Sequence, residues 1–137
     1  MVRALRPKGE MWHKVDFRSH KMFGRIHPLY FLTIKEKWWR LISSPDPTLN
    51  RARLPVYREL TARDFESSEI YFTHILNDNE IEPHTKSLIP GKHYCDQQAK
   101  LVGAIRPLLK EPFSRYVDED LFTSGIFVIS REKHTTS

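Results

Sequence analysis

His84, His93 and Cys95, with His74 across the turn-forming run Asn77-Asp78-Asn79, are the residues of this chain whose types and spacing come nearest to a reactive cluster. Zinc takes four nitrogen or sulfur ligands in a tetrahedron. The spacing fits no finger or ribbon, and a single cysteine without a repeated C-x-x-C or H-x-x-x-H pair leaves the set incomplete. These histidines therefore read as belonging to a proline-rich surface loop, and no metal is expected. Cys95 also stands just before Asp96, where a helix is expected to begin, and a helix N-terminus lowers a thiol pKa. With His93 two residues away, this supplies two parts of a thiol nucleophile but no orienting third group and no oxyanion pocket. Asp118-Glu119-Asp120 offers oxygens to a hard cation without the spacing of an EF-hand or a phosphatase, and reads as a solvated loop. His13, His20 and His27 recur every seven residues, yet Gly24 argues against one helix carrying all three. The sequence has no P-loop, G-x-G-x-x-G, G-x-S-x-G or H-E-x-x-H motif. No cofactor is implied.

A second kind of chemistry is more extensive. Residues 1 to 40 hold ten Lys and Arg against three acids, residues 41 to 80 four against seven, and residues 81 to 137 eight against seven, so the net charge of +5 originates at the N-terminus. Arg3, Arg6, Lys8, Lys14, Arg18, Lys21 and Arg25 are interleaved there with Trp12, Phe17, Phe23, His13, His20 and His27. Cations neutralise phosphates while aromatic faces stack on exposed bases, so these seven are the candidate nucleic-acid-binding residues. The same arm would also suit an acidic protein surface. Of the neighbouring pair Trp38 and Trp39, one is expected in the core and the other, Trp39, on the surface as a partner-binding residue beside Lys35, Lys37 and Arg40.

These residues need elements to position them. Phe31, Ile34, Trp38 and Leu41 recur at spacings of 3, 4 and 3, which predicts an amphipathic helix over 28–42. Ser43-Ser44-Pro45-Asp46-Pro47 would stop it. A short helix is expected over 56–66, a strand over 70–76 in preference to a helix capped by Ser67 or Ser68, an irregular connection over 81–93 and a second amphipathic helix over 96–106 with Asp96 as its N-cap. Gly125 to Ser130 is apolar on both faces of any strand. Such a segment is covered either as a central strand or with help from a partner, and the second is expected, at a sheet edge where Phe127 and Ile129 would meet the partner.

The composition, 39% apolar and 28% charged over 137 residues, suits one ordinary globular domain. No run approaches the roughly 18 to 20 apolar residues of a membrane span. One cysteine cannot form an intramolecular disulfide, and the first 25 residues lack the apolar region of a secretory signal, which points to an intracellular address, mitochondrial or cytoplasmic. Val56-Tyr57-Arg58, followed by Glu59-Leu60, resembles the Leu-Tyr-Arg signature of the small mitochondrial LYR-motif proteins, helical subunits and assembly factors that dock an acyl carrier protein. The likeness covers these few residues, with Val56 for the leading Leu and Pro55 just before it.

The sequence thus predicts an α+β fold: a small single domain over 28–132 with two amphipathic helices and a few strands, an extended basic arm over 1–27 and a frayed tail over 133–137. The function expected is that of a non-catalytic structural subunit of a larger assembly, most concretely a ribonucleoprotein of the ribosome type, whose partners are other subunits and RNA. The alternatives are a small hydrolase or nuclease using His74, His84, His93 or Cys95, or a subunit or assembly factor of a mitochondrial complex.

Overall fold

A computed structural model describes residues 8–19, 23, 25–46, 49–77 and 79–132. Alternation of side chains along Glu10–Asp16 makes strand β1, in which Val15 is buried while Trp12, Lys14 and Asp16 are exposed. A 3-10 turn at Tyr30–Thr33 leads to helix α1 (Glu36–Ser43), and helix α2 (Leu54–Asp64) follows with Pro55 in its first turn, where a missing N–H costs nothing. Strands β2 (Ser67–Ile75) and β3 (Asn79–Thr85) form a hairpin around Asn77, whose φ of 69° is the left-handed value that asparagine tolerates. Helix α3 (Asp96–Ile105), the short helix α4 (Asp118–Phe122) and strand β4 (Thr123–Arg131) complete the chain. Among the described residues no helix is long and apolar enough to cross a membrane.

The four strands form one antiparallel sheet in the order β1-β4-β2-β3, and the protein is a small single α+β domain. Ile126, Val128 and Phe72 point to the helical side and join Val15, Leu54, Val102, Ile105 and Leu121 in the core. At Thr73 β2 bulges, with Phe72 opposite Ile126 and His74 opposite Gly125. A Cβ at Gly125 would stand 2.8 Å from Thr73 Oγ1 and 3.2 Å from His74 Nδ1, so the bulge closes only over glycine.

Two buried arginines fasten the connections. Arg53 donates to the carbonyls of Phe17 (3.0 Å), Leu121 (2.6 Å) and Thr123 (2.7 Å), tying the end of β1 to the α4–β4 junction. Arg51 donates to Ile34 O at 2.6 Å, pairs with Glu36, and stacks over Trp39 and Phe113 with its guanidinium 4.8 and 5.3 Å from the ring centroids.

Five expectations change. The helix over 28–42 is broken, because Ile34 and Lys35 are extended (ψ 129° and 144°), and the new phase buries Trp39 (7% exposed) while Trp38 is 53% exposed. Trp39 is therefore a core residue and not a surface contact. Residues 10–16, expected in the arm, are an integral strand, and Phe17 beyond it is buried. The connection over 81–93 begins as strand β3. The residue preceding α3 is Cys95, with Asp96 inside the helix; Gln98 Oε1 reaches back to accept from the Cys95 N–H at 2.9 Å and its thiol at 3.3 Å. Finally, β4 is a central strand paired on both sides, not an edge awaiting a partner. The tail 133–137, with Arg3, Arg6, His20 and Lys21, lies outside the described residues.

Candidate nucleic-acid interface

The helices cover one face of the sheet. The register assigns the other face row by row: Glu10 opposite Arg131, Trp12 opposite Ile129 and Ile129 opposite Glu69, then Lys14 opposite Phe127 and Phe127 opposite Tyr71. Trp12, Tyr71, Phe127 and Ile129 stand outside the core cluster. Trp12 is 65% exposed and meets Phe127 edge to face, with centroids 6.0 Å apart. Three aromatic rings on three neighbouring strands thus cross the open face.

Cations surround the rings. Arg131 Nε lies 2.8 Å from Glu10 Oε1, and Glu10 Oε2 accepts from the Trp12 indole N–H at 3.1 Å, fixing the indole. Lys86 pairs with Glu69 and lies 5.3 Å from the centroid of Tyr71. The hydrogen bonds from Arg131 and Trp12 hold the Glu10 carboxyl below its ordinary range, and the bond from Lys86 does the same for Glu69. In return, Glu69 raises the Lys86 pKa and Glu10 raises that of Arg131. Lys14 is exposed and has no ion-pair partner among the described residues. The face is thus apolar at its centre, with Lys14, Lys86 and Arg131 at its margin.

The residues singled out from sequence fare differently. Lys14 lies on this face, and Phe127 and Ile129 lie at its centre, although on a central strand. Lys8 and Arg25 are exposed, and Arg18 is paired with Asp16 at 2.6 Å. Of the aromatics expected to stack, Trp12 is displayed, whereas Phe17 is buried against Tyr57 and Arg53, and Phe23 packs on Tyr30. Tyr71 and Lys86 were not recognised from sequence. The alternating run Glu69-Ile70-Tyr71-Phe72 carried the signal that Tyr71 faces away from the side on which Phe72 is buried.

The other clusters are engaged locally. His27 Nδ1 accepts from the Leu29 N–H at 3.0 Å, so Nε2 carries the proton donated to Leu101 O at 2.9 Å. His93 Nδ1 accepts from the Ile89 N–H, and His74 lies 3.0 Å from Thr73 Oγ1. Among the described residues no group of three or more His, Cys, Asp or Glu is placed to hold a metal ion. Asp118-Glu119-Asp120 is helical, with Arg58 bridging Glu119 and the buried Asp120 at 3.0 Å each.

No family model, curated protein or solved structure matches the chain. Tyr57 and Arg58 of the Leu-Tyr-Arg-like tripeptide have structural partners here: Tyr57 lies against Phe17, and Arg58 holds α4.

Proposed function

We propose that the open sheet face binds single-stranded nucleic acid, RNA in the first instance, and that the protein is a non-catalytic subunit of a ribonucleoprotein assembly. The observation that carries this reading is the set of rings Trp12, Phe127 and Tyr71, spread over two adjacent rows of a face that the helices leave uncovered, bordered by Lys14, Lys86 and Arg131. Aromatic rings standing on a sheet are the means by which single-stranded RNA modules engage unpaired bases, since every base has a stacking face. A base laid on Trp12 would place its phosphate toward Lys14 or Arg131. Because both Arg131 and Lys86 already hold carboxylates, stacking contributes more of the affinity than charge.

The test is a titration of a fluorescein-labelled oligouridylate, read by anisotropy and by quenching of tryptophan emission. Trp12→Ala should weaken binding about 5- to 150-fold, corresponding to the ~1–3 kcal/mol of one stacked base. Its melting temperature should hardly move, since Trp12 is 65% exposed. Equal affinities for the wild type, Trp12→Ala and Phe127→Ala would refute the reading, as would the absence of binding at low salt.

A further inference from the structure

The two edges of the sheet differ in what they offer another chain. At one edge, β3 carries Pro83, which has no N–H to donate, and exposed Glu80, Glu82 and His84. Such features discourage strand addition. At the other edge β1 runs for seven residues without proline, pairs with β4 on one side, and on its other side meets no strand among the described residues. Over β1 and β4 on the helical face lies a cleft of about 330 Å³, with Met11, His13 and Val128 toward the sheet and Val56, Tyr57 and Leu60 of α2 as its wall. Leu60 is exposed. Met11 and His13 alternate along β1 with Trp12 and Lys14, which face the opposite way.

We propose that the free edge of β1 and this cleft take up an extended segment of a partner protein as a fifth strand. Backbone N–H and C=O groups on the unpaired side of β1 supply the hydrogen bonds, and every second side chain of the segment enters the cleft. That inward set must be apolar. The outward set is chosen by charge: Glu10 and Asp16 on β1 are held by Arg131 and Arg18, whereas Lys14 has no ion-pair partner among the described residues. The occupant is therefore a segment that alternates apolar residues with acidic or polar ones and places a carboxylate beside Lys14. This inference shares only Lys14 with the nucleic-acid reading, because the cleft lies on the opposite face of the sheet from Phe127 and Tyr71.

Phage display of random dodecapeptides against the full chain supplies the probe, and the most enriched peptide is then synthesised. Enriched sequences should alternate apolar and acidic residues, and the peptide should slow hydrogen exchange at β1 amides. Leu60→Glu should reduce its affinity about tenfold or more, as loss of an interface anchor does, with oligouridylate binding unchanged. Lys14→Glu should select peptides with a basic residue in place of the acidic one. Failure to enrich any sequence, enrichment without alternation, or protection that leaves β1 untouched would overturn the proposal. So would a concentration-dependent dimer whose β1 amides are protected without peptide, since the occupant would then be a second copy.

Discussion

Replacing Arg53 by methionine keeps the volume of the side-chain stem and removes every donor of the guanidinium. Arg53 is 1% exposed, and burial lowers its pKa to about 10, which still leaves it cationic at neutral pH. Three carbonyls, of Phe17, Leu121 and Thr123, would lose a donor at 3.0 Å or less. A buried acceptor stripped of its partner costs about 1–3 kcal/mol, which sets a gross loss of roughly 3–9 kcal/mol. Two effects offset part of it: the desolvation of a cation is no longer required, and its Nε, buried without a partner, disappears. The net loss expected is about 3–5 kcal/mol, a large share of the ~5–15 kcal/mol available to a domain of this size. Urea unfolding followed by far-ultraviolet circular dichroism measures it, with an unchanged m value showing that the denatured state is the same. Arg53→Lys, with fewer donors and no planar fork, should fall between wild type and Arg53→Met and serves if the methionine variant does not fold. A loss under about 1 kcal/mol for Arg53→Met would refute the reasoning, because it would mean that the three carbonyls are satisfied in some other way.

Trp39→Ala should cost about 3–5 kcal/mol and Trp38→Ala no more than about 1 kcal/mol, measured by the same unfolding assay; equal losses would contradict the break in the chain at Lys35. Burial raises the Asp120 pKa against the pull of Arg58, so its contribution to stability is full below the unfolded value of 3.8 and is lost as pH rises through the folded value. Since asparagine does not titrate, the stability difference between Asp120→Asn and wild type should shift in favour of Asn from about pH 4 to pH 7 in parallel denaturation curves. Gly125→Ala should destabilise by about 1–3 kcal/mol, and Thr73→Ala in the same chain should restore part of that, since the new Cβ would lie 2.8 Å from Thr73 Oγ1.

Local pattern made several elements legible from sequence. The strand expected at 70–76 and the helix expected at 96–106 lie where β2 and α3 are found: a 3.6-residue stripe marks α3, whereas at β2 the β-branched and aromatic residues favoured a strand over a helix capped by Ser67 or Ser68. Strand order was not legible. That β4 is central follows from its pairing with β1 and β2 across 48 or more residues of sequence, whereas the two-sided apolarity of Gly125–Ser130 suits a central strand and a partner-covered edge strand alike. β1 was hidden because its outward set mixes Trp12 with Glu10, Lys14 and Asp16, which resembles a charged arm until the opposing strand supplies partners. Trp12 stands out in the sequence as an aromatic among cations, and the fold leaves it 65% exposed. Phe17 was not distinguishable from it by composition, since only the arrival of Arg53 from 36 residues away shows that Phe17 belongs inside.

The inward-turned arginines also change what the net charge and the prolines mean. Long proline-punctuated connections suggest a chain ordered by its neighbours, yet here Arg51 and Arg53 fasten the segment before α2, and Arg106 fastens the one after α3 by donating to Tyr116 O at 2.9 Å. Within the described residues these connections are thus held by the domain's own cations. Cations used in this way are unavailable to phosphates. On the open face Lys14 has no ion-pair partner among the described residues and Arg131 and Lys86 are shared with Glu10 and Glu69, so one to three phosphates can be neutralised there. With a slope of about −0.7 per phosphate on a single strand, the logarithm of affinity for this face should fall by about 1–2 per tenfold rise in salt. A dependence that shallow, with a large loss on Trp12→Ala, marks a surface that holds its ligand by stacking. A steep one that survives Trp12→Ala would place the binding on the basic residues that precede β1.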